Sequence, residues 1–411
     1  MADSPRQKPR QKRLKDFNLG RQIGHGAFGE VLEVEDKETH IKYAMKILSK
    51  AHILREKKMK YVTVERDVLT KLHHPNIIRL LLTFQDPGNL YFVTELAERG
   101  DIQKVLDVHY SIDIDITKML LGQLLLAISH IHKNRILHRD IKPENILIDS
   151  QNRVKVTDFG TAKIFDSNES FKYDRGSFVG SADYVSPEIM LETPVGPSSD
   201  IWSFGCVAYA MIVGEAPFHA NSNFATFQKI EKNQYTFPDF VPADAKDLIE
   251  KILVPDPNLR LGNNEYESDY ESIRNHPFFN GIDWRKLPIE PVPDFRPFEP
   301  AVAARDLENE ENNISILKED EGELVIREGH VTFLSPSGKS KSLCLILTDL
   351  PRILMTDLNK TVIKIEIDLS TEIKLEMVSP TQLKLNGLDI IVEEEEADKW
   401  IEIINQVICE L

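Results

Sequence analysis

Residues 137–162 constrain this chain most. They read L-H-R-D-I-K-P-E-N-I-L-I, then a polar turn, then V-K-V-T-D-F-G-T-A. The apolar triplets 146–148 and 154–156 flank Asp149, Ser150, Gln151 and Asn152, the pattern of a short β-hairpin. Its open end would hold Asn145 and Asp158 side by side, two oxygen donors suited to a hard cation such as Mg2+. Asp140 can accept a proton from a hydroxyl, and Lys142 follows two residues later. A lone D-F-G is a weak signal; both motifs, in this order and at this separation, are a specific one.

The 411 residues suffice for two or three domains. A net charge of -16 argues against general nucleic-acid binding. Cys206, Cys344 and Cys409 lie far apart without metal-ligand spacing, which implies a reducing compartment and no disulfide frame. No apolar leader opens the chain, and the apolar stretches 119–131 and 201–214 are too short and interrupted to span a bilayer. They read as buried core helices, and a cytoplasmic location is expected. Residues 1–15 are basic, proline-containing and expected to be disordered, with transient membrane or nuclear association as the roles such a tail can take.

Apolar segments 19–23 and 31–34 flank Gly24, Gly26 and Gly29, so two strands are expected around a glycine-rich turn. A charged turn and a strand at 43–48 with A-M-K follow, not the helix that a dinucleotide fold would place there. Residues 58–72 have helical periodicity and carry Glu65. Strands are expected at 80–84 and 90–95, around Asp86-Pro87-Gly88-Asn89. Beyond Gly160 a polar, Gly/Ser-rich segment ends in S-P-E at Glu188. Residues 280–316 are proline-rich and then acidic, and read as an extended linker. From Gly322 about seven short β-branched runs precede an amphipathic helix over 393–411 that carries Trp400.

These motifs are those of the eukaryotic protein kinases. T-D-F-G-T-A-K, S-F-V-G-S-A-D-Y-V-S-P-E, Y-V-T-V-E-R-D-V-L and T-F-Q-D most resemble the AGC group and, within it, the 3-phosphoinositide-dependent protein kinase family. Seven strands and a Trp-bearing helix resemble a pleckstrin-homology (PH) domain, which follows the kinase domain in that family. The expected fold class is α+β: a bilobal kinase fold over 16–279 (small lobe 16–96, large lobe 97–279), then a PH-like β-barrel or sandwich capped by a helix over 317–411.

The resemblance implies a serine/threonine protein kinase with ATP and Mg2+ as cofactors. Asp140, Lys142, Lys46 and Glu65 would be catalytic, with Lys46 on the α- and β-phosphates and Glu65 as its ionic partner. The ATP site would comprise Ile23, Gly24, Gly26, Gly29, Val31, Ala44, Lys46, Thr94, Glu95, Ala97, Asp101, Glu144, Asn145 and Asp158. Thr94 would guard the back of the adenine pocket, and Glu95 and Ala97 would offer it backbone groups. Asn145 and Asp158 would hold the metal. Ser177 would be the activation-loop phosphosite, paired with Arg139 and Lys163, and Arg260 would pair with Glu188. Asp200, Trp202 and Gly205 match the D-x-W-x-x-G of the helix that anchors the catalytic loop.

A second small-lobe site is also implied, where substrate AGC kinases dock their phosphorylated hydrophobic motif. Ile53, Leu54 and Leu90 would line it beside Lys50, and Arg66, Thr83 and Gln85 would cradle the phosphate. Asn18 and Val64 stand where the family has a lysine and an arginine, which predicts weaker phosphate capture and weaker coupling of Ser177 to Glu65. Phe295-Arg296-Pro297-Phe298-Glu299 has F-x-x-F spacing, and either self-docks or anchors a linker on the large lobe. Residues 317–411 hold ten Lys/Arg against nineteen Asp/Glu, with only Lys339 and Lys341 where the family places its lipid-binding cations. Weak or absent phosphoinositide binding is expected, which leaves a protein-binding or autoinhibitory module.

Overall fold

The computed structural model describes residues 12–166 apart from 27 and 28, 170–171, 182–305 apart from 192 and 221, and eight separate segments of sheet and helix within 325–410. Ser177 lies outside the described residues. The chain divides into two compact units, Met1–Val302 and Ala303–Leu411.

In the first unit, β1 (Phe17–Gly26), β2 (Gly29–Asp36), β3 (Lys42–Ser49), β4 (Leu80–Gln85) and β5 (Asn89–Glu95) form an antiparallel sheet in the order β1-β2-β3-β5-β4. Gly29 is there for space: a Cβ on it would meet the Ile47 carbonyl oxygen of the next strand. Two helices interrupt the strands. The six-residue α1 (Lys50–Arg55), capped by Ser49, has no counterpart in the sequence-based expectation, and α2 (Met59–Lys71) matches the expected helix. Val62, Glu65, Val68 and Leu69 form the buried face of α2.

The large lobe is helical. Its helices are α3 (Ile102–His109), α4 (Ile114–Lys133), α5 (Pro187–Met190), α6 (Ser198–Val213), α7 (Asn223–Glu231), α8 (Ala243–Ile252) and α9 (Glu271–Arg274). Asp113 starts α4 by accepting the N–H groups of Asp115 and Ile116. α4 is long and apolar enough to cross a membrane, but most of it is buried in this lobe. Every residue of α6 is buried, as expected of a helix that is apolar all round. Gly214 ends it with φ 103°, a left-handed turn where a Cβ would strike the Tyr110 ring. Two short sheets lie on these helices: β6 (Ile136–Leu137) pairs with β9 (Lys163–Ile164), and β7 (Ile146–Ile148) with β8 (Val154–Val156).

Residues 280–302 correct the expectation of an extended linker, because they pack as part of the first unit. Leu287, Val292 and Ala301 are buried. Side-chain amides hold the carbonyls of this strap: Gln123 Nε2 donates to Leu287 and Glu290, Asn76 Nδ2 to Pro288, and Asn152 Nδ2 to Val292 and Pro293. Phe295 and Phe298 pack against the large-lobe core, with Phe298 edge-on to Phe240 at 6.1 Å, so the F-x-x-F segment is an anchor on that lobe.

The second unit is an antiparallel sheet of seven strands: β10 (Val325–Leu334), β11 (Ser340–Thr348), β12 (Arg352–Thr356), β13 (Ile363–Asp368), β14 (Leu375–Ser379), β15 (Gln382–Leu385) and β16 (Leu388–Val392). Their order is β13-β12-β11-β10-β16-β15-β14. Helix α10 (Ala397–Glu410) packs on β14 and β15 and buries Trp400 and Ile404 among Leu383, Leu385 and Ile390.

Candidate active site

The hairpin β7–β8 pairs Ile146 with Val156 and Ile148 with Val154, which brings Asn145 and Asp158 to its open end. Asn145 Nδ2 donates to the Asp140 carboxylate at 2.9 Å and to the Asp140 carbonyl at 2.8 Å, which leaves the Asn145 oxygen as the donor for a cation. Lys142 Nζ is 3.1 Å from the same Asp140 carboxylate. Asp158 adopts a left-handed backbone, φ 59° and ψ 71°, a strained conformation of the kind held at functional sites. Desolvation would raise its pKa, but the Lys46 ammonium and other nearby positive charge outweigh that and hold it below the usual aspartate range.

Lys46, on β3, donates to both Glu65 oxygens at 2.7 and 2.9 Å, which ties the sheet to α2. Burial alone would lower the Lys46 pKa, yet the Glu65 and Asp158 carboxylates raise it above the usual lysine value. The ammonium therefore stays charged beside Glu65 and Asp158.

Asp200 on α6 organises the catalytic loop from below. Its carboxylate accepts the N–H groups of His138 (2.9 Å) and Arg139 (2.8 Å), and it bonds His132 Nε2 at 2.7 Å. Desolvation opposes ionisation here, but His132 and the donors around it keep the pKa below the normal range. His132 also meets the Tyr270 hydroxyl. Sequence reasoning found Asp200 and missed His132 and Tyr270, since one histidine inside an apolar helix gives no signal of a polar partner 68 residues away.

The other expected residues fall as follows. Ile23, Gly24, Gly26, Gly29, Val31 and Ala44 lie on β1, β2 and β3, with Gly26 paired to Gly29. Thr94 and Glu95 end β5, and Ala97 follows in the hinge. Glu144 is exposed beside buried Asn145. Asp101 is engaged locally: it caps α3 through the Lys104 N–H at 2.9 Å and pairs with Lys104 Nζ at 3.0 Å. Arg139 donates to the Thr161 carbonyl, and Lys163 sits over the Phe165 ring.

The docking residues are less uniform. Ile53 is fully buried with Leu48, Val62 and Phe92, so it belongs to the small-lobe core and does not line a surface pocket, a correction that follows because Ile53 is the inward-facing residue of α1. Leu54 is 65% exposed, Leu90 is partly buried, and Lys50 Nζ donates to the Asp86 carbonyl. Arg66, Thr83 and Gln85 are all exposed, and Arg66 pairs with the adjacent Asp67.

A protein kinase domain family profile matches residues 17–279, and a PH domain profile matches residues 315–410. Human 3-phosphoinositide-dependent protein kinase 1 is 41% identical over 302 residues, 74% of this chain and 54% of its own length. Human putative 3-phosphoinositide-dependent protein kinase 2 is 41% identical over 302 residues, 76% of its own length. The chain belongs to the 3-phosphoinositide-dependent protein kinase family. It spans about half the length of the first of these relatives. The serine/threonine-protein kinase PKH2 of Saccharomyces cerevisiae is 39% identical over 70% of this chain and 27% of its own length. Members of this serine/threonine kinase family use ATP and a divalent metal, and the donor set fits. Among the described residues no cluster of three His, Cys, Asp or Glu side chains could hold an ion. One carboxylate and one amide suit a cation that keeps waters and takes its other ligands from phosphate.

Proposed function

We propose that this chain transfers the γ-phosphate of Mg-ATP to activation-loop serine or threonine hydroxyls of other AGC kinases. The observation that carries the reading is the Lys46–Glu65 ion pair at 2.7 Å, formed beside an Asp140–Lys142–Asn145 cluster. Lys46, held by Glu65, grips the α- and β-phosphates. Asn145 and Asp158 would hold Mg2+, which would supply neutralisation of phosphate charge when bound. Asp140 orients the attacking hydroxyl and accepts its proton, and Lys142 steadies the transferring phosphoryl. Such catalysis is positioning and electrostatics, so each charged group matters separately.

Substrate kinases dock through Leu54 and Leu90, with Arg66 as the phosphate ligand and Thr83 and Gln85 as neutral donors. The support is the exposure of Leu54, Arg66, Thr83 and Gln85 on neighbouring elements of one lobe. Phosphorylation of Ser177 tunes the site through Arg139 and Lys163. The test is phosphate transfer to an AGC activation-loop peptide, with and without a linked phosphorylated F-x-x-F motif. The linked motif is expected to raise kcat/KM, and Arg66→Ala to remove roughly tenfold or more of that gain, as loss of a charge-assisted contact does. Transfer that ignores the motif would leave a serine/threonine kinase with other substrates.

A further inference from the structure

Glu95 is the last residue of β5, where the small-lobe sheet passes into the hinge. Its backbone N–H donates to the Arg79 carbonyl at 3.0 Å, and its Oε1 accepts the Arg79 N–H at 2.8 Å. Its second oxygen, Oε2, accepts from Lys155 Nζ at 3.0 Å. Lys155 sits on β8, opposite Leu147 and three residues before Asp158. Its side chain is only 8% exposed, against 28% for Glu95. An ammonium this buried needs its counter-charge, so the contact is a structural commitment, unlike a solvated surface pair.

The pair closes a seam between the lobes. Ile78 N–H donates to the Val156 carbonyl, Val156 N–H to the Asn76 carbonyl, and Asn76 Nδ2 to the Val154 carbonyl. Past the hinge, Arg99 N–H bonds the Ile148 carbonyl, and Ile148 N–H bonds the Gly100 carbonyl. Residues 96–98 therefore run between two ties to the same hairpin that carries Asn145 and leads to Asp158. His74 reports the charge nearby: burial first, then the His130 and Lys155 charges, lower its pKa to about 4.

We infer that Glu95 and Lys155 form a latch that fixes the hinge against β8, and that Lys155 is a positioning residue for the nucleotide. It acts through Glu95, setting the hinge backbone that faces adenine while never touching the nucleotide itself. Lobe opening, which releases nucleotide, must work against this tie. The inference deepens the kinase reading and rests on it for its kinetic consequence, while the latch itself is read from contacts.

The test uses the full chain with Lys155→Met and Lys155→Arg. Three readouts are steady-state KM for ATP and kcat, ADP affinity by calorimetry, and amide hydrogen exchange over residues 93–98. Lys155→Met is expected to raise KM for ATP and the Kd for ADP by roughly three- to tenfold, with kcat at saturating ATP kept or increased. Exchange over 93–98 should quicken, and Lys155→Arg should restore all three. Unchanged ADP affinity and exchange in a folded Lys155→Met protein would overturn the latch, as would a fall in kcat with KM unchanged. If Lys155→Met fails to fold, Glu95→Gln/Lys155→Met removes both charges and is judged by the same criteria. ADP binding and exchange need no phosphate transfer, so an inactive wild type would count against the kinase reading alone.

Discussion

Glu188 and Arg260 meet inside the large lobe, although 72 residues separate them. Two guanidinium nitrogens reach the two Glu188 oxygens at 2.8 and 3.1 Å, and Arg260 also donates to the Ser198 and Val254 carbonyls and lies over the Trp202 ring. The Arg260 side chain has no exposed surface, so removing it strands a carboxylate in the core. Arg260→Ala should destabilise the kinase unit by about 3–5 kcal/mol, seen as a lower Tm for that unit in the full chain. Glu188→Gln/Arg260→Met should recover part of the loss because no charge remains unpaired. An unchanged Tm would show that water reaches Glu188 after all. This pair was legible in the sequence, because S-P-E and D-P-N-L-R-L-G carry it as motifs. The His132–Asp200 bond and the Glu95–Lys155 ion pair were not, since His132 and Lys155 are single polar residues that no local pattern distinguishes.

At the level of elements, periodicity served where an element was long or buried on one face. α2, α4 and the seven C-terminal strands follow from such patterns, whereas the hairpin was marked by two apolar triplets around a polar turn. It failed for α1, whose six residues are too few to show a period and whose start rests on one Ser49 cap. It also failed for the strap over residues 280–302. Proline removes N–H donors, which makes such a segment read as a linker, but its carbonyls remain strong acceptors. Asn76, Gln123 and Asn152 supply the missing donors from a loop, α4 and the hairpin turn, so the docking is invisible until the fold exists. If the strap is part of the large lobe, Phe298→Ala should lower the Tm of the kinase unit, a loss of about 1–3 kcal/mol for a partly buried ring. Limited proteolysis near residues 295–302 should quicken at the same time. Activation by a linked docking motif should be unaffected; a change in that response with Tm preserved would instead favour self-docking of the segment.

The whole molecule joins a protein kinase domain to a PH domain whose charge opposes the lipid chemistry found in its family. Phosphoinositide headgroups are polyanions, and capturing them takes local positive charge, worth on the order of 1 kcal/mol per basic residue near a membrane surface. Residues 317–411 have nineteen Asp/Glu against ten Lys/Arg, including the run Glu393–Glu396 immediately before α10. Of the cations, Arg352 is buried within the domain, so its charge is largely withdrawn from the surface. The net field therefore repels an anionic membrane, and the few remaining lysines would have to work against it. Vesicles containing 3-phosphorylated phosphoinositides should sediment the full chain no better than vesicles of equal charge made with another anionic lipid, and deleting residues 303–411 should leave that result unchanged. Selective capture by the full chain, lost on that deletion and weakened by salt, would mean that a cluster of lysines overcomes the domain's net charge. Without such capture, the expectation is a protein-binding or autoinhibitory module, and its acidity favours a basic surface as the target in either case.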